Sequence, residues 1–115
     1  MDQPTAIEFV YLAVLFLVAL TAFWMFDKLV RLEYASHRAD WEQDGKPSGF
    51  IFRPPETGTP GSWLAFNRVW FAWLFKTPEW MRRDERALRW VRWLRVSWLI
   101  WSVGALGWLF LFILP

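Results

Sequence analysis

The chain has no cysteine, one histidine and two tyrosines among its 115 residues. Without cysteine, disulfide frameworks, thiolate metal sites and cysteine nucleophiles are all excluded. There is no glycine-rich phosphate loop, no Ser-His-Asp set and no HExxH motif. Lysine and arginine are missing from both ends, and all 13 lie between Lys28 and Arg95. Two long apolar runs lack any ionisable residue, which removes proton relays and ion pathways that need a charge at membrane depth.

What is there instead is apolar and aromatic: 56% of residues are apolar types, with 11 Trp and 11 Phe. A water-soluble domain of this length buries only about 60–70% of the surface of its unfolded chain, too little to hide so many rings. The excess calls for an apolar solvent or a partner. Residues 9–26 have Thr21 as their one polar interruption, and residues 96–114 carry no charge. At 1.5 Å per residue each run makes about 27 Å of helix, close to a hydrocarbon core of about 30 Å. As buried helices of a soluble protein they would need more surrounding chain than remains. The first run does not read as a cleavable signal. Asp2 and Glu8 precede it in place of Lys or Arg, and no small-x-small site follows.

The segment between the runs holds thirteen basic and nine acidic residues, a net of +4, while the ends hold only Asp2 and Glu8. Lys28 and Arg31 follow the first run at once, and Arg89, Arg92 and Arg95 precede the second. The positive-inside rule places this loop in the cytoplasm and both termini in the periplasm, as in a multi-pass protein of a bacterial inner membrane.

The expected architecture is all-α, a single membrane domain over 1–115. It has two transmembrane helices with helical cytoplasmic extensions and a short interfacial amphipathic helix. The first helix is expected to run on through 27–44, with i,i+4 pairs of Asp27 with Arg31, Glu33 with His37 and Arg38 with Glu42. Gly45 is a suitable stop. Residues 45–61 hold four Pro and four Gly, an irregular linker in which Phe50-Ile51-Phe52 is apolar enough to dock on protein or the interface. Ser62 reads as the N-cap of a helix over 62–76. Its Trp63, Phe66, Val69, Trp70, Trp73 and Leu74 form a broad apolar face, fit for lying in the membrane interface. Thr77-Pro78-Glu79 reads as a cap, an N1 proline and a first-turn acid, opening one continuous helix over 78–114 that includes the second span, 96–114.

On that helix Arg82, Arg86 and Arg89 share one face, with Glu85 in reach of Arg82 and Arg89. Asp84 sits on the opposite, apolar stripe and needs a partner from another element: Arg31, Arg38 or His37. His37 is the one side chain able to ligate a metal or haem, but Asp40 is a poor second ligand and His37 reads as a surface residue. The carboxylates are spread among basic partners, so no catalytic residue and no metal site is expected.

Lys28, Arg31, Arg82, Arg83, Arg86, Arg89, Arg92 and Arg95 are candidates for binding anionic lipid head groups. Acids among them, and the nearby span, favour lipid over nucleic acid. Trp24 and Trp98 sit at belt positions. Trp63, Trp70, Trp73, Trp80, Trp101 and Trp108 are candidates for packing against partner subunits. The deep stripe of Trp101 and Trp108 also suits a bound lipid, quinone or carotenoid. Gly104 and Gly107, with Ser97 and Ser102 nearby, would permit close helix approach.

An N-terminal span, Leu29-Val30-Arg31-Leu32, a turn at Gly45, Arg68-Val69-Trp70-Phe71, and Arg82-Arg83-Asp84-Glu85-Arg86 before the last span follow one another in order. In this the chain resembles the universal stress protein B group of small two-span bacterial inner-membrane proteins. The resemblance covers most of the chain, which departs from the group in its greater tryptophan content and its proline-rich linker. It implies a stress-associated membrane role and no catalytic residues to carry over. The residues themselves point to a non-catalytic accessory subunit of a larger integral membrane complex, of the energy-transducing respiratory or photosynthetic kind.

Overall fold

The computed structural model describes residues 5–114, and all the regular structure among them is helical. Helix α1 (Ala6–Ser36) is 31 residues long and contains neither Gly nor Pro. Thr5 Oγ1 accepts the Glu8 N–H at 3.2 Å to cap its start. At 1.5 Å per residue α1 reaches about 46 Å, so its last turns project beyond any bilayer core it crosses.

The expected unbroken run through residue 44 does not hold. His37 leaves helical geometry at φ −134°, ψ 51°, and a separate short helix α2 (Arg38–Gln43) follows. The break has a local and a distant cause. Arg38 Nε donates to Tyr34 O at 2.7 Å, satisfying a carbonyl that a continuing helix would have used. The His37 ring is drawn away to Asp84 and packs on Trp80 at 4.8 Å. Gly45 then ends α2 at φ 93°, with its own N–H on Glu42 O and the Lys46 N–H on Trp41 O at 3.0 Å. That is a Schellman closure, which requires a left-handed residue.

Helix α3 (Pro60–Phe75) starts two residues before the expected Ser62 cap. Thr59 is the cap, accepting the Ser62 N–H at 3.1 Å, and Pro60 occupies N1. The continuous helix over 78–114 is also overturned. Glu79–Arg82 is a one-turn helix, α4, and α5 (Glu85–Trp108) begins afresh from Asp84, which is extended at φ −127°, ψ 110°. Asp84 Oδ1 accepts the Arg86 N–H at 3.0 Å, so the aspartate caps a new helix and does not continue the old one. Thr77 provides no side-chain cap to α4. Its hydroxyl instead accepts from Arg95 Nη2 at 2.9 Å. A π-helical turn, Leu109–Ile113, ends the second long helix.

α1 and α5 form a hairpin, and the core lies at its basic end. Phe26, Leu29 and Val30 of α1 meet Val69, Trp70 and Trp73 of α3, Trp80 and Met81 of α4, and Val91 and Leu94 of α5. Phe26 is the hub, its ring centroid 5.1–5.5 Å from those of Phe66, Trp70 and Trp73. The linker aromatic Phe50 docks here, 4.2 Å from Phe23 and 5.6 Å from Trp70. Each such pair adds about 0.5–1.5 kcal/mol beyond area burial.

At the other end, Tyr11 Oη donates to Gly104 O at 2.7 Å. A Cβ on Gly104 would lie 2.5 Å from Leu15 Cδ2, and one on Gly107 would lie 2.9 Å from Tyr11 Oη. These glycines let α5 approach α1 of the same chain. Ala6–Ser36 and Glu85–Ile113 are each long and apolar enough to cross a membrane, and only 11% and 6% of their most apolar stretches are buried by the rest of the protein.

Candidate functional site

Three elements converge on a cleft of about 420 Å³ beside the end of the first apolar run. α1 contributes Trp24, Lys28 and Arg31, α5 contributes Arg86 and Trp90, and the linker contributes Ile51. The Lys28 ammonium lies over both indoles, 5.9 Å from the Trp24 ring and 5.0 Å from the Trp90 ring. Arg31 stands over Phe52 at 4.9 Å. Asp27 also borders the cleft, but its carboxylate is engaged by the Phe50 and Ile51 N–H groups. Those two bonds hold the linker in place as a wall. They also require Gly49, since a Cβ there would collide with Asp27 Oδ1.

Of the eight basic residues expected at a lipid surface, the fold gathers three here: Lys28, Arg31 and Arg86. Arg82, Arg83, Arg89 and Arg92 are exposed elsewhere on α4, α5 and their junction. Arg95 has an internal role. Its guanidinium donates to Trp73 O at 3.0 Å and to Thr77 Oγ1, tying α5 to the end of α3.

A second group of polar side chains lies at the edge of the core, with Glu33 buried, His37 and Asp84 half-buried and Arg86 exposed. Asp84 Oδ2 is 3.1 Å from His37 Nε2, and Asp84 Oδ1 is 3.6 Å from Arg86 Nε. Of the three partners expected for Asp84, the fold supplies His37. Burial pushes the Asp84 carboxyl up, but bonds from His37 and the Arg86 and Ala87 amides, with the Arg86 charge, outweigh it and hold Asp84 below its ordinary value. Glu33, one turn before His37, is fully buried, and neither of its oxygens has a hydrogen-bond partner. Burial, then the Asp44 and Asp40 carboxylates, push its pKa up to about 10, with the Trp80 indole pulling the other way. The sequence shows Glu33 only as a surface partner for His37. An acid three residues after buried Val30 and four after buried Leu29, on the same helix face, was the available signal. Among the described residues no three His, Asp or Glu side chains converge as metal ligands.

The tryptophans divide differently from the expectation. Trp73 and Trp80 are buried in the chain's own core and present no surface to a partner, and Trp70 packs in the same core with one edge on an apolar groove. Trp63 is 64% exposed. Trp101 is half-buried and stacks on Trp98 at 5.4 Å, and Trp108 is half-buried with no partner for its Nε1. Two apolar grooves remain. One, of about 580 Å³, runs along α1 past Val10, Val14 and Val18 to Ile100 and Gly104. The other, of about 360 Å³, is walled by Phe23, Trp70, Phe71, Trp98 and Trp101.

No family model, curated protein or solved structure matches the chain.

Proposed function

We propose that the chain is a two-span inner-membrane protein acting as a non-catalytic accessory subunit of a larger integral membrane complex, of the respiratory or photosynthetic kind. The observation that carries this reading is the outward face of the hairpin. Ile7, Phe16 and Leu17 of α1 and Leu99, Val103 and Leu106 of α5 are all more than half exposed. A surface of that extent must be covered by lipid or by protein. The face continues onto α3, whose inner side is core while Leu64, Phe71 and Phe75 stand exposed on its outer side. A helix apolar on both sides fits a position in the interface, packed on the head of its own protein and facing acyl chains outward. The two apolar grooves suit a neighbouring helix, a lipid chain, or the ring of a quinone or carotenoid.

The basic end then faces the cytoplasm, as the charge distribution directs. Gentle detergent extraction followed by native electrophoresis tests the reading. Co-migration with a large assembly is the expected result, and migration of all the protein near its monomer or dimer mass would refute it. The second outcome would favour an independent membrane protein of the universal stress protein B type.

A further inference from the structure

The cleft between α1 and α5 places three cations around one space. Lys28, Arg31 and Arg86 line it together. Among the described residues, neither Lys28 nor Arg31 has a carboxylate within 4.0 Å; the two ion pairs present are His37 with Asp84 and Arg86 with Asp84. Asp27, the one acid at the cleft, accepts from the linker amides and feels the Arg31 charge without pairing with it. Like charges drawn together by a fold repel unless an anion joins them. The walls are as particular as the charges. Trp24, Trp90, Leu32 and Ile51 supply apolar wall beside the cations, and the Lys28 ammonium lies over the Trp24 and Trp90 rings.

We propose that this cleft binds a phosphate group, that of an anionic phospholipid, with Lys28, Arg31 and Arg86 on the phosphate and the Trp24–Trp90 walls on the glycerol and upper acyl chain. The depth suits such a ligand. Trp24 lies in the last turn of the first apolar run, where a head group meets hydrocarbon. Guanidinium groups from separate helices can each contribute charge-assisted bonds to phosphate oxygens. The site also links the helices, because α1 supplies two of the cations and α5 the third. This inference rests on the membrane reading of residues 9–26, and it is independent of whether the chain joins a larger complex.

Binding is measured on the full chain purified in neutral detergent, titrated with phosphatidylglycerol, with phosphatidylcholine and with inorganic phosphate, and read by native mass spectrometry. The expected result is preference for phosphatidylglycerol over phosphatidylcholine, weakened about tenfold or more in K28Q/R31Q. R83Q/R92Q removes the same charge from exposed arginines outside the cleft and is expected to bind within about twofold of the parent. R31K keeps the charge and retains binding, which separates loss of a ligand from loss of fold. Displacement by millimolar inorganic phosphate would support the phosphate site and assign it to the free anion. Equal losses in the two double variants, or equal binding of the two lipids, would overturn the proposal.

Discussion

Glu33 shows what one side chain can contribute, or cost, in this fold. Its carboxyl is fully buried, its oxygens lack partners, and its pKa rises to about 10 from an ordinary 4.5. A group whose folded pKa is raised favours folding only while it holds its proton. That contribution is complete below about pH 4.5 and is lost progressively as pH climbs toward 10. By pH 7 the linkage costs about 3 kcal/mol relative to an acid that never ionises. Glu33→Gln has nearly the same shape and no proton to lose. In detergent, the melting temperature of the parent is expected to fall between pH 6 and pH 9, while that of Glu33→Gln stays level. A parallel fall in both would show that the carboxyl is not sheltered from water. Periodicity alone did not disclose this residue. Beyond the first apolar run, the face of α1 that becomes interior is set by where Asp44 and Trp80 return in space, 11 and 47 residues further along the chain.

Helix boundaries follow the same logic one level up. Two Thr-Pro pairs occur in the chain, of which the sequence marks only the second as a helix start. At Thr59-Pro60 the hydroxyl caps a 16-residue helix. At Thr77-Pro78 it is turned to Arg95 and only a single turn follows. The decisive cap is Asp84, which ends one helix and begins the next while joining His37 across the core. Asp84→Ala removes both roles, and Asp84→Asn keeps the cap but not the charge. The expected losses in thermal stability are about 1–2 kcal/mol for alanine and clearly less for asparagine. If asparagine costs as much as alanine, the His37 pair and not the cap holds the junction. The spans and the Gly45 stop were legible because each is fixed by composition or by one residue's backbone preference. The breaks at His37 and Arg83-Asp84 were not legible, because their local bonds, Arg38 to Tyr34 and Arg86 to Asp84, accompany a contact between His37 and Asp84, which are distant in sequence.

For the molecule as a whole, the absence of cysteine becomes an experimental convenience. Single cysteines can be placed at exposed Thr5 and Arg53 in an otherwise thiol-free chain. A membrane-impermeant maleimide applied to intact spheroplasts is expected to label the Thr5→Cys chain and spare Arg53→Cys until the cells are lysed. The reverse pattern would invert the topology that the charge distribution dictates. At this scale the sequence conveyed the hairpin and its basic end, but it assigned Trp70, Trp73 and Trp80 to partners when the chain packs them itself. That packing has a bearing on how the protein is made. The core needs Phe26 and Val30, then Trp70 and Trp73, and finally Val91 and Leu94. At about 5–20 residues per second, translation leaves roughly 3–14 s between the synthesis of its first and last contributors. For most of that interval Phe26 and Val30 have no aromatic partner from α3, and when Trp70 and Trp73 arrive they still lack α5. The newly made chain therefore passes through a window in which only the arrival of α5 closes the core.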